Sequence, residues 1–200
     1  KDAMPRVHPH YAVKANPHPQ VLRTLIEEGA GFEIASIAEL DLLLGLGVPA
    51  HEIYYSNPVK SPRYIEYAAA RDVRWFVLDS VEELRKIVAI APGASLYLRI
   101  EVTNAGSDWP LSGKFGAQPA EVDEIIAAAV ELKADLAGVT FHVGSQCRNA
   151  DNWRAGIDTA KRVFRKMRLK GLRPRLLNIG GGYPVRHTKP IPSIETIGEV

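Results

Sequence analysis

Short runs rich in β-branched and aromatic residues alternate along the whole chain with longer stretches in which apolar residues recur at helical spacing. The short runs, at residues 11–14, 31–34, 53–56, 75–79, 95–100, 137–142 and 176–179, predict seven strands. The longer stretches, at 19–28, 36–46, 62–71, 80–90, 119–133 and 152–170, predict helices between them. Ser36 with Glu39, and Ser80 with Glu83, have the spacing of a capping box and fix two helix starts. Gly29, Gly47 and Gly171 follow apolar-periodic stretches and suit C-terminal caps. Strict alternation of strand and helix predicts an α/β protein in which helices cover a parallel sheet.

An open doubly wound sheet and a closed barrel both satisfy that order, and the placement of polar residues separates them. In the open sheet, ligand residues gather at one switch point, whereas in a barrel many strand ends contribute. Lys14, Glu33, Asn57, Asp79, Arg99, His142 and Gly180–Gly182 fall at successive strand ends, which favours a (β/α)8 TIM-type barrel. Seven of its eight strands are legible. Residues 185–192 form a polar, proline-containing loop, and a helical pattern then opens near Ser193. The expectation is therefore one partial barrel domain over residues 1–200, with the sequence stopping inside an element. The stretch from Glu101 to Pro119 is the one long connection, and loops of that length tend to serve function.

Composition narrows the function classes. The 25 basic and 23 acidic residues are interspersed and leave a net charge of +2, so no basic stripe offers itself to nucleic acid. No apolar run reaches the roughly 18 residues of a membrane helix, and residues 1–10 lack the apolar core of a signal peptide. A cytoplasmic protein that binds neither membrane nor nucleic acid is expected. The single cysteine, Cys147, excludes an internal disulfide and a multi-cysteine zinc site, and the His8/His10 pair lacks a third ligand, so no metal is expected.

Three strand ends carry the candidate chemistry. In Tyr11–Pro17 a lysine, Lys14, stands where a strand-like run meets a proline turn. Its ordinary role would be a solvated side chain. His142 ends the sixth run, followed by Gly144 and Ser145. Gly180-Gly181-Gly182 ends the seventh and offers backbone N–H groups with no side chain to block an anion. Three glycines alone equally describe a flexible turn, and the spacings of a Walker loop and of a dinucleotide fingerprint are both missing. An amine, an imidazole and a phosphate cradle at neighbouring strand ends are what a pyridoxal phosphate enzyme requires.

Nine motifs in order carry a resemblance: YAVKANP (11–17), GFEIAS (31–36), YSNPVKSP (55–62), FVLDS (76–80), LYLRI (96–100), KFGA (114–117), FHVGSQC (141–147), IGGGYP (179–184) and KPIPSIE (189–195). Together they cover almost the whole chain, which resembles the barrel domain of the alanine-racemase-fold pyridoxal phosphate decarboxylases, most closely the ornithine/lysine decarboxylases. The resemblance implies that Lys14 holds the cofactor covalently, that His142 lies flat against its ring, and that Ser145, Gly180, Gly181 and Gly182 bind its phosphate. It places an acidic cluster near the lysine, with Glu33 where the family usually has aspartate. Glu39 reads as either a capping acid or part of that cluster. Arg99 reads as a partner of Glu33 behind the cofactor, or less readily as a direct contact.

The same resemblance implies loss of CO2 from ornithine or lysine to give a diamine such as putrescine, a step of polyamine biosynthesis. A diaminopimelate or arginine decarboxylase, and a non-catalytic homologue that binds cofactor or partner proteins, are the alternatives. It also implies a homodimer with active sites at the interface, a second β-rich domain, and a carboxylate on the eighth strand that pairs with the cofactor's ring nitrogen. Since the last two are absent from these 200 residues, the chain by itself is expected to be inactive and prone to associate.

Overall fold

The computed structural model describes residues 3–111 and 113–200. Seven strands form one all-parallel sheet: β1 (His10–Ala12), β2 (Gly31–Ile34), β3 (Ile53–Tyr55), β4 (Trp75–Leu78), β5 (Ser95–Arg99), β7 (Asp135–Thr140) and β9 (Leu176–Asn178). Their spatial order is their chain order. No switch point exists in that sheet, which is the topology of a barrel rather than of a doubly wound fold. Helices α1 (Pro19–Glu27), α2 (Ile37–Gly45), α3 (Pro62–Ala69), α4 (Val81–Ile90), α5 (Pro119–Glu131) and α6 (Asp151–Leu169) connect them, and α7 (Ile194–Gly198) follows β9.

The sheet curls. β2 and β9 stand five places apart in the sheet, about 24 Å if it were flat at ~4.8 Å per strand. Yet the Glu33 side chain on β2 meets that of Asn178 on β9 at 2.5 Å. Alternation along the strands explains which residues line the inside. Phe32 and Ile34, Ile53 and Tyr55, and Leu96 and Leu98 are buried against the helices, while Glu33, Tyr54, Tyr97 and Arg99 point to the concave side. Register pairs Ala12 with Glu33, Glu33 with Tyr54, Tyr54 with Trp75, Trp75 with Ser95 and Ser95 with Asp135. The lower end of the inside is filled by that row: Tyr54 stacks on Trp75 at 5.2 Å, Arg175 lies over Trp75, and Asp135 accepts from Arg175 and Ser95.

Both expected helix starts form, since Ser36 and Ser80 Oγ accept from the Glu39 and Glu83 backbone N–H groups, but neither capping box closes: Glu39 accepts from the Ala35 N–H and Glu83 from the Lys60 N–H rather than from the serine backbone. Two further expectations change. Lys14 lies just past β1 in a single 3₁₀ turn, Val13–Ala15, because Pro17 cannot donate to a strand ladder and the chain turns away before it. The connection from Glu101 to Pro119 is not all loop: β6 (Ser107–Trp109) pairs antiparallel with β8 (Ser145–Cys147). An Arg148–Asp108 pair, with contacts of 2.6 and 2.8 Å, clips that ribbon together.

The NPVK motif also finds a physical role. Lys60 Nζ, wholly buried, donates to the carbonyls of Asn57, Pro58 and Val77 and pairs with Glu83 Oε1 at 2.9 Å, while Lys86 pairs with the other oxygen. Desolvation outweighs the attraction of Glu83 and lowers the Lys60 amine to about 8, which still leaves it charged at pH 7. The pair ties the loop after β3 to the start of α4. Glu83→Leu would strand a buried cation, and unfolding in urea should show a loss of about 3–5 kcal/mol.

Candidate active site

The C-terminal ends of the strands form one rim, and most of the sequence-predicted residues meet there. β1 delivers Lys14 through its terminal turn, β2 delivers Glu33, β5 delivers Arg99, β7 leads into His142, and β9 leads into the glycine loop. The charges of Lys14 and Arg99 both reach Glu33, and both reach His142. Four strand ends that are far apart in sequence are thereby electrostatically one site.

His142 is half-buried, and its ring is fixed from two sides. Its Nδ1 accepts from the Gly144 N–H at 3.0 Å, so the proton of the neutral ring sits on Nε2. Its backbone carbonyl accepts from the buried Asn104 side chain, which also donates to Val102 O and accepts from Leu111 N. Burial first, then the nearby positive charges of Arg99 and Lys14, lower its pKa to about 4. At pH 7 it presents an uncharged ring.

That shift has a stability consequence. An unfolded chain takes up a proton at this histidine near pH 6.5, while the folded chain refuses it until about 4. The unfolded state therefore binds more protons in that window, and stability falls as pH falls through it. His142→Phe should flatten the pH dependence of unfolding free energy between those values, by on the order of 2 kcal/mol. An unchanged slope would show that His142 titrates normally.

The glycine loop is shaped by close approach to the segment after β7. Gly180 and Gly182 have φ of +70° and +92°, and a Cβ at either would overlap a carbonyl oxygen, of Phe141 and of Gly144 respectively. Gly181 differs: its φ is ordinary, and a Cβ there would lie 3.4 Å from His142 Nε2. Gly180 N–H donates to Asn178 Oδ1 at 2.8 Å, and Gly182 O accepts from Cys147 N–H at 2.8 Å. Among the described residues, the N–H groups of Gly181, Gly182 and Tyr183 and the Ser145 hydroxyl have no hydrogen-bond partner. A row of unpaired amides beside a free hydroxyl is a nest for an anion. Ser145 reaches this point because β8 carries it there, paired with Trp109 across the ribbon.

Glu39 is consumed by the helix start: its carboxylate accepts from Ala35 N–H at 2.7 Å. Arg99 forms no ion pair with Glu33 among the described residues, and its guanidinium lies 4.9 Å from the Phe115 ring centre instead. Burial lowers its pKa, opposed by the attraction of Asp79 and Glu33. Asn178, which the sequence reading did not single out, hydrogen-bonds Glu33, and Ser56 also favours its ionised form. The signal for Asn178 was present: an asparagine two residues before a glycine is the pattern of an Asx-turn.

Such a site on a curled parallel sheet defines the class: a barrel domain with an anion nest and a lysine on one rim. Comparison with known proteins then supplies the family. Residues 1–199 match the family described as pyridoxal-dependent decarboxylase, pyridoxal binding domain, and the chain belongs to it. It is 37% identical over 200 residues to an ornithine decarboxylase of Caenorhabditis elegans, covering 98% of this chain and 47% of that one. It is 40% identical over 182 residues to antizyme inhibitor 2 of Xenopus laevis, covering 91% of this chain and 40% of that protein. Its fold superposes on lysine/ornithine decarboxylase of Vibrio vulnificus complexed with cadaverine, with a TM-score of 0.90 and 35% identity, over 100% of this chain and 51% of that one. The chain thus spans about half the length of the relatives it matches or less.

Pyridoxal phosphate fits the residues present. The unpaired amides of Gly181–Tyr183 and the Ser145 hydroxyl suit its phosphate, the uncharged His142 ring suits an aromatic face, and Lys14 is the amine on the rim. No helix among the described residues is long and apolar enough to cross a membrane.

Proposed function

We propose that this chain is the cofactor-holding part of a decarboxylase of a basic L-amino acid, ornithine or lysine. The observation that carries the reading is the convergence of Lys14, the neutral His142 and the unpaired amides after Gly180 on one rim of the barrel. When bound, pyridoxal phosphate supplies a conjugated ring that takes up the electron pair left when the amino acid loses CO2. The chain's own residues bind and orient. The Gly181, Gly182 and Tyr183 N–H groups and the Ser145 hydroxyl donate to the phosphate. Lys14 supplies the amine that holds the cofactor, exposed in the middle of its turn and attracted by Glu33. His142, with its proton on Nε2 and no charge at neutral pH, covers one face of the ring and excludes water there.

Residues 1–200 on this reading form a partial barrel domain of a homodimer whose second domain contributes to the substrate site, and cytoplasm is the proposed location. A second reading has one observation in its favour: the relative named antizyme inhibitor 2 is as similar to this chain as a relative named ornithine decarboxylase. A homologue that holds cofactor or a partner protein without turnover would look the same here. Measuring CO2 release by the full-length protein with ornithine, lysine, arginine and diaminopimelate, with pyridoxal phosphate present, separates the two. The first reading expects one diamine product from ornithine or lysine, and no product from any of the four would favour the second.

A further inference from the structure

We infer that Asn178 is a positioning residue that sets the anion affinity of the glycine loop, and that the Glu33 carboxylate governs it. The inference rests on the reading of that loop as a phosphate site and adds the device that holds it in shape. Asn178 is the last residue of β9 and touches both sides of the problem. Its Nδ2 donates to Glu33 Oε1 at 2.5 Å, and its Oδ1 accepts from the Gly180 N–H at 2.8 Å. The amide cannot be turned over, because that would set its oxygen against a carboxylate and its NH2 against an N–H. Glu33 thereby dictates that Asn178 offers an acceptor to Gly180.

The consequence lies in which amides are taken and which are left. Gly180 N–H is engaged, its φ is +70°, and the next three N–H groups are unpaired. Without the Asn178 acceptor, Gly180 N–H becomes a fourth unpaired donor and nothing holds the turn that aims the others. Glu33 is itself fixed by several groups. Ser56, 2.7 Å from the Tyr97 hydroxyl, and the charges of Lys14 and Arg99 all favour its ionised form, with the Tyr54 and Tyr97 hydroxyls beside it. With Asn178 donating to it, the arrangement is complete when Glu33 is ionised. Burial raises the pKa of Glu33, so it takes up a proton at a higher pH than a solvated glutamate. The charge that orients Asn178 is lost as pH falls through that raised value.

The test measures the pyridoxal phosphate dissociation constant of the protein and of three variants over a pH series that falls from neutrality, the direction in which Glu33 takes up its proton. Asn178→Leu should bind about tenfold more weakly or worse at every pH, the scale of one lost hydrogen bond to a charged network. Asn178→Asp places two carboxylates together that must share a proton, so its affinity should recover as pH falls. The exchange Glu33→Gln with Asn178→Asp restores one donor and one carboxylate, and should return to within about threefold of the unsubstituted protein. A role in general stability would not produce that rescue. A second readout needs no cofactor: the Gly180 amide proton resonance should shift with the titration of Glu33 and cease to do so in Glu33→Gln. Binding that Asn178→Leu leaves unchanged, a double variant that is not rescued, or a Gly180 amide indifferent to Glu33 would overturn the inference alone. No binding by the unsubstituted protein would overturn the phosphate reading, and the inference with it.

Discussion

Lys14→Ala is expected to abolish amino-acid decarboxylation by the full protein, by at least about 10³-fold, while leaving the fold intact. The expectation follows from where the lysine sits. Its turn follows β1, its side chain is exposed, and it makes no hydrogen bond or ion pair among the described residues that would be lost. A substitution with so little to break should barely move the urea midpoint, since surface changes of this kind usually stay within about 0.5 kcal/mol. Stability and activity therefore separate cleanly at this position. Lys60 is the internal control, because it is the opposite kind of lysine: buried, paired with Glu83 and bonded to three carbonyls. Lys60→Ala should cost stability first and activity only through it. A Lys14→Ala protein with near-normal turnover would remove the lysine from the chemistry.

The second large effect concerns the glycine loop, where neighbouring glycines should respond differently. Gly180→Ala should destabilise the protein by about 3 kcal/mol or more, since it combines a left-handed backbone with a Cβ driven into the Phe141 carbonyl oxygen. Backbone on both sides of that overlap leaves no flexible side chain to yield. Gly181→Ala should cost under about 1 kcal/mol, because its φ is ordinary and the new methyl group only touches the His142 ring at 3.4 Å. The informative change at Gly181 is to aspartate: the chain should still fold, yet a carboxylate beside the unpaired amides should repel the phosphate and cut cofactor affinity. Equal destabilisation at both positions would contradict the loop geometry.

Much of this was legible in the sequence because the signals were local. Period-two and helical spacing placed the seven sheet strands and six of the helices, and Ser36 and Ser80 marked helix starts that the structure confirms. Lys14, His142 and the glycine run stood out because each broke an apolar strand at its end. Long-range pairings were not legible. Ser107–Trp109 is too short and too polar to announce a strand, and it exists as one only because Ser145–Cys147, about forty residues on, pairs with it. The Glu33–Asn178 bond spans 145 positions and depends on the curl of the whole sheet. Arg99 was expected to pair with Glu33, but among the described residues it forms no ion pair with it and lies over the Phe115 ring. Glu39 was ambiguous because its spacing fitted both roles, and the Ala35 bond assigns it to the cap.

The central claim is that Lys14 is the amine that holds the cofactor. The most direct measurement incubates the protein with pyridoxal phosphate, reduces it with borohydride, digests it and maps the pyridoxyl group by mass spectrometry. The account predicts one stoichiometric modification, on the peptide that contains Lys14, and its disappearance in Lys14→Ala. A label spread thinly over exposed lysines such as Lys133 and Lys170, or placed on Lys60 with Lys14 untouched, would contradict it.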